Sequence, residues 1–166
     1  MRRNRKLADD AVKGAIAGGL ATWVLDLITD WMYKREPYDA RQQEDRARHG
    51  RTAYEAAADR AADLLGRPLS QRERQRLGTA IHWALGIGAG VAYSTFGRDI
   101  PAFRRAGGAA FGTAFWAGVD EVLVALLGLT PPPQAFPWET HARGLTGHLA
   151  FGIVTDRTLR VLDAVA

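Results

Sequence analysis

Two stretches of this chain are written twice. Gly78-x-x-x-His82-x-Ala84-x-Gly86-Ile87 recurs as Gly144-x-x-x-His148-x-Ala150-x-Gly152-Ile153. Upstream of each, Gly14-Ala15-x-x-Gly18 followed by Asp26 recurs as Gly108-Ala109-x-x-Gly112 followed by Asp120, again in register. The two kinds of stretch alternate along the chain. The repeat therefore describes two helical hairpins, about residues 11–96 and 106–162, that solve one packing problem twice.

The 47% hydrophobic and 24% charged residues would not by themselves indicate a membrane protein, but the charge is unevenly placed. Residues 106–129 carry only Asp120 and Glu121, and residues 77–96 carry one His and no full charge. A spanning helix needs about 20 mostly apolar residues. A soluble bundle would show polar outer faces at a period of about 3.6 residues, and neither segment has one. The pairs Gly14/Gly18, Gly86/Gly90 and Gly108/Gly112 are small-x-x-x-small spacings that let helix backbones approach closely in lipid. Trp31, Tyr33, Tyr93, Phe96 and Trp138 fall near the expected ends, where amphipathic rings favour the interface. The predicted fold is an all-α integral-membrane four-helix bundle of two repeated hairpins about a pseudo-two-fold axis along the membrane normal. Its spans lie at about residues 11–33, 77–96, 106–129 and 137–157, in one membrane domain. The first is read as a retained span, because no small-residue cleavage site follows a short apolar core.

Residues 34–76 form a charged, helical connector outside the membrane. Residues 53–65 read as a surface helix with Tyr54, Ala57, Ala61, Leu64 and Leu65 along one face, ended by Gly66 and Pro68. Ser70-Gln71-Arg72-Glu73 is a capping-box pattern that starts the second span as a helix before it enters the membrane. Residues 39–50 are nearly all charged or amide, and their plainest reading is a solvated linker. The flanks Arg2, Arg3, Arg5, Lys6, Arg98, Arg104, Arg105, Arg157 and Arg160 suit both termini in the cytoplasm, although the basic connector would then lie outside. The net charge of +4 comes from helix flanks and the connector, which suits anionic headgroups better than nucleic acid. With no Cys, disulfides and thiolate metal sites are excluded. Small-residue stripes on the outer faces would suit a homo-oligomer or a membrane-complex subunit.

Asp26 and Asp120 lie in the second halves of the odd spans, and His82 and His148 in the first halves of the even ones. Odd and even spans run in opposite directions, so all four fall on the connector side, within roughly 10 to 15 Å of the helix ends. Asp30, Glu121 and His141 would sit towards the mouth. An ionisable residue inside a span is a functional hypothesis by default. Proton or small-ion handling by His82 and His148, tuned by the carboxylates, is one reading. A divalent metal site, or haem held between the two histidines, are others. In the plainest reading Asp–His pairs only hold helices together. No nucleophile elbow, phosphate loop or metalloprotease motif is present, so no enzyme activity is expected.

Gly128-Leu129-Thr130-Pro131-Pro132, then Pro137-Trp138, then Gly147-His148-Leu149 resembles a block of YagU-like bacterial inner-membrane proteins. Gly14-x-Ile16-Ala17-Gly18, and His82 eleven residues before Tyr93, are similar too. The resemblance implies a multi-pass inner-membrane protein of a family without an established activity. It matches His82 and His148, whereas Asp26 and Asp120 fall where that family has other residue types, so it points to the two histidines. Pro131-Pro132-Pro133 is expected to stop the third helix and leave a rigid hairpin loop.

Overall fold

In each hairpin, repeated glycines bring two helices together backbone to backbone. The computed structural model describes residues 2–165, with side chains from Leu7 onward, and every regular element among them is helical. Met1, Ala166 and the side chains of the basic flank Arg2, Arg3, Arg5 and Lys6 lie outside the described residues. Helix α1 (Arg2–Tyr33) runs antiparallel to α4 (Gln71–Thr95). A Cβ added at Gly14 would stand 2.8 Å from the Gly90 carbonyl oxygen, and one at Gly18 would stand 2.6 Å from that of Gly86. The second hairpin repeats the device. Gly108 and Gly112, at the start of α6 (Ala109–Phe115), abut the backbones of Gly152 and His148 on α8 (Trp138–Ala164). Gly108 has a second reason to be glycine, since its φ of 87° lies in the left-handed region.

The hairpins join through α1 and α8, where Gly147 admits Leu25 and Thr29. On the other side α4 and α6 meet through Tyr93 and Phe111, whose ring centroids are 4.7 Å apart. Small residues dock one pair of helices and aromatic rings prop the other, so the pseudo-symmetry is incomplete. The core is correspondingly slight, with Ala17, Tyr93 and Leu159 at its centre and Phe103 and Phe111 packed on them. Tyr93, expected as an interfacial anchor, is instead fully buried and donates a hydrogen bond to Asp156 Oδ1 at 2.8 Å. Its hydroxyl finds that acceptor inside the bundle and has no need of the interface. Trp31, Phe96 and Trp138 are exposed.

Helix α1 is built inside out. Val12, Ile16, Leu20, Trp23 and Leu27 recur every three or four residues on its exposed face, while Gly14, Ala17, Gly18 and Ala21 face inward. Two helical stretches, Leu7–Tyr33 and Ala109–Leu126, are long and apolar enough to cross a membrane. The other two expected spans fall short of that criterion. Gly, Thr, Ser, His and Tyr dilute α4, and Glu139, Arg143, Asp156, Arg157 and Arg160 charge α8. The third expected span, 106–129, is not a regular α-helix. After α6 the chain widens into a π-helical stretch, Trp116–Leu123, where the N–H of Val124 reaches back to the Val119 carbonyl. A single α turn, α7 (Val124–Leu126), completes it before the proline loop.

The connector is ordered where a solvated linker was expected. Residues 38–48 form α2 (Tyr38–Arg48), with Ala40 and Glu44 buried. Helix α3 (Ala53–Leu64) opens on a Thr52/Glu55 capping box. It closes on Gly66, whose N–H bonds the Asp63 carbonyl while Arg67 N–H bonds that of Ala62. Its inward face is Ala58 and Ala62, not the expected row ending in Leu64 and Leu65, which are left exposed. Small residues let α3 sit close on α4, and the Arg74–Asp59 ion pair at 2.8 Å holds that rotation. The expected Ser70/Glu73 capping box starts α4, and a short helix, α5 (Pro101–Arg105), links it to α6.

Close backbone contact gives a direct test. A Cβ at Gly90 would run into the Gly14 carbonyl oxygen and stand 2.5 Å from Gly18 Cα, neither of which can rotate away, whereas Gly88 has nothing within 4 Å. Gly90→Ala should destabilise the purified protein by about 1–3 kcal/mol in denaturant unfolding. Gly88→Ala should be neutral or stabilising. Equal effects would remove the packing role assigned to Gly90.

Candidate functional site

The register set by the glycines brings each repeated aspartate to a repeated histidine. His82 Nε2 lies 2.8 Å from Asp26 Oδ1, joining α4 to α1. In the second hairpin His148 Nδ1 lies 3.7 Å from Asp120 Oδ2. That nitrogen makes its closer bond, 2.9 Å, to the Gly144 carbonyl one turn back, so it carries the proton and donates. The Nε2 of His148 has no partner among the described residues, and the side chain is over nine-tenths buried.

A third pair depends on the π stretch. On a regular α-helix consecutive residues diverge by about 100°, so Asp120 and Glu121 would not both face α8. The wider turn lets both do so. His141 Nδ1 stands 2.8 Å from Glu121 Oε1, and its Nε2 donates to the Pro133 carbonyl at 3.1 Å. A carbonyl oxygen only accepts, so Nε2 must hold a proton. The Nδ1–Glu121 contact then contains one further proton, on the ring or on the carboxyl group. Either way, the two groups share it.

The first glycine of each Gly-x-x-x-His motif opens a niche one turn before its histidine. Gly78 lies against Glu55 Cγ, where a Cβ would stand 2.9 Å away, and Gly144 lies against the Trp116 indole nitrogen at the same distance. Glu55 arrives there because the Thr52 capping box starts α3 at that point. The same helix start lays Tyr54 on His82, with ring centroids 4.8 Å apart. Burial first, and then the charges of Asp120 and Asp26, raise the Tyr54 phenol above its ordinary value, so it stays neutral.

These groups surround one cavity of ≈ 550 Å³ beneath the connector, bounded by α1, α3, α4, the π stretch, the proline loop and α8. Asp26, His82, Asp120, Glu121, His141 and His148 all line it. Asp30 does not. It pairs with Lys34 on the exposed side of α1. The repeated residues form pairs around the wall, not one four-residue centre, and among the described residues no group of three or more His, Asp or Glu is placed to hold a metal ion.

Sequence reasoning did not assign the charged group that closes this chamber. The Arg143 guanidinium, almost fully buried, donates to both oxygens of Glu36 and both of Glu44. Glu44 also receives Arg48 at 2.6 Å and the Thr140 hydroxyl at 3.0 Å. Buried charges persist only when paired and hydrogen-bonded in this way. A buried arginine one turn before Gly147-His148 was the available signal, and the connector acids were its nearest candidate partners. Asp156, inside the expected span 137–157, was not assigned either; it accepts hydrogen bonds from the Tyr93 hydroxyl and the Arg160 guanidinium.

A family model described as "Protein of unknown function (DUF1440)" matches residues 66–157. The chain belongs to the DUF1440 family. The matched stretch contains both Gly-x-x-x-His copies, the paired Asp120 and Glu121, His141 and the proline loop, while Asp26 and α2 precede it. No curated protein and no solved structure matches the chain.

The Arg143 lock has a defined acid limit. Burial alone would raise the Glu44 carboxyl, but Arg48 and Arg143 outweigh it and hold it below its ordinary value of 4.5. A depressed carboxylate stabilises the fold fully above the unfolded value and loses that contribution as pH falls through the folded one. Hydrogen exchange of residues 38–48 should therefore be slow at neutral pH and accelerate as pH falls below the ordinary carboxyl value of 4.5. In Glu44→Gln it should be fast at both. Protection independent of pH in the wild type would show that the ion pairs do not seat α2.

Proposed function

We propose that the chain is a four-span protein of the bacterial inner membrane that handles protons or small ions through the acid–histidine cavity on its connector side. Two stretches with the length and apolar character of spans support the membrane setting. So does the outward apolar row of α1, which in water would be an unfavourable exposed stripe. Helices α4 and α8 lie antiparallel against these two stretches, glycine on backbone. Their histidines and Arg143 turn into the cavity, which is where charged groups are tolerated at membrane depth. The YagU-like resemblance supports the same location.

The observation that carries proton handling is the His141 geometry. With Nε2 committed to the Pro133 carbonyl, the Glu121–His141 contact holds a proton between a carboxyl group and an imidazole at 2.8 Å. His82–Asp26 adds a second imidazole–carboxylate hydrogen bond in the same chamber. The alternative is a structural protein or complex subunit in which these bonds tie helices together. The interhelical His82–Asp26 bond favours it, as does free space at Gly88 and Gly118 that a homo-oligomeric or complex partner would fill.

Purified protein in liposomes with an internal pH-sensitive dye separates the two. Wild type should move protons down an imposed gradient, and His82→Gln, His148→Gln and His141→Gln should abolish that movement with the helical content intact. If no flux appears and the variants only lose about 0.6–2 kcal/mol of stability, the structural reading stands. Span number is tested separately. Cysteines placed at Gly97 and Thr130 should label from opposite faces of the membrane, and labelling from the same face would end the four-span arrangement.

A further inference from the structure

We infer that the cavity binds an organic cation, a positively charged molecule with an aromatic or otherwise apolar body. The inference rests on the preceding reading in taking this cavity as the functional site, but does not require proton movement.

Its size is that of a small-molecule site, ≈ 550 Å³, within the range of about 300–1,000 Å³ such sites occupy. Its aromatic lining comes from four separate parts of the chain: Tyr54 on α3, Trp83 on α4, Trp116 on the π stretch and Phe136 in the proline loop. Aromatic faces attract a cation lying within about 6 Å of the ring centroid, Trp most strongly.

The balance of charge points the same way. Arg143 is committed to Glu36 and Glu44, and a terminal nitrogen of Arg48 to Glu44, while the buried Arg48 Nε has no hydrogen-bond partner among the described residues. Glu55 caps α3. The Glu121–His141 pair, which shares one further proton, is neutral as a unit. Asp26 and Asp120 remain, each opposed among the described residues only by a histidine, so carboxylates stand beside the aromatic faces. An organic anion would meet these carboxylates head on. A bare metal ion needs three or more converging donors, which the described residues do not provide. A bulky cation needs only diffuse negative charge and aromatic faces. His148 adds an independent sign of a ligand. Its side chain is over nine-tenths buried in the cavity wall, Nδ1 is turned back to Gly144, and Nε2 is an acceptor without a donor among the described residues. An ammonium N–H would satisfy it.

Isothermal titration of the full-length protein in mild detergent with tetraphenylphosphonium tests this directly. Tetraphenylborate serves as an anion of nearly the same shape. The phosphonium should bind saturably, one per chain, and quench indole emission, while the borate only partitions into the detergent. Asp120→Asn, nearly isosteric, should weaken the phosphonium by at least about tenfold, and Trp83→Leu should do the same. Asp26→Asn stands in if Asp120→Asn does not fold. Equal titration of the two ions, or wild-type affinity in the carboxylate variants, would overturn the cation site. The liposome assay keeps the readings apart, because binding without proton flux sinks only the proton reading, and flux without binding sinks only this one.

Discussion

Close contact between glycine and backbone is the constraint on which the site depends. When Gly18 lies on Gly86 and Gly112 on His148, the two helices of each hairpin have one permitted register. From Gly18, two turns along α1 lead to Asp26, and from Gly86 one turn back along α4 leads to His82. The acid–histidine pairs follow from that register. A bulkier residue at any of these contacts would separate the helices and move a carboxylate away from its imidazole. Helix packing and the chemistry of the chamber are here one property of the sequence.

The second constraint is electrostatic. The chamber contains ionisable groups of both signs in a setting where unpaired charge is costly. The arginines are matched by connector carboxylates, since Arg143 and Arg48 use Glu36 and Glu44. The histidines are matched by carboxylates of α1 and the π stretch. Arginine stays charged at any physiological pH, so the first set makes a fixed clamp that seats α2 over the bundle. The second set is built from neutralisable partners and ties α1 and the π stretch to α4 and α8 beneath it.

Much of this was legible in the residues, and the reason is the repeat. Register, antiparallel pairing and a common depth for the Asp and His residues all follow from spacing alone. Three things did not. A duplicated motif predicts equal halves, but Thr22 stands where the second hairpin has Trp116, so the odd helices of the two halves present different side chains at that position. The π stretch depends on hydrogen bonds to the fifth residue back, which leave no periodic mark in an apolar run. Residues 39–50 looked like solvated linker because their composition is polar. Their order depends on a partner, Arg143, about a hundred residues away, and composition cannot report a contact across that distance.

These departures from symmetry give the chamber its character. Two identical half-sites would have presented two equal Asp–His pairs facing each other. Instead, His82 spends Nε2 on Asp26 and lies under Tyr54, while His148 spends Nδ1 on its own helix and keeps Nε2 free. The Trp116 indole occupies the niche at Gly144, and at the equivalent Gly78 the niche holds Glu55 of the connector. The widened turn then adds Glu121–His141, for which the first hairpin has no counterpart, since Leu27 follows Asp26 and is exposed. A duplicated scaffold supplied the position of the chamber. Substitutions at a few of its equivalent positions turned two similar faces into one lopsided pocket, with an extra acid–histidine pair on the π-stretch side and an ion-paired helix at its edge.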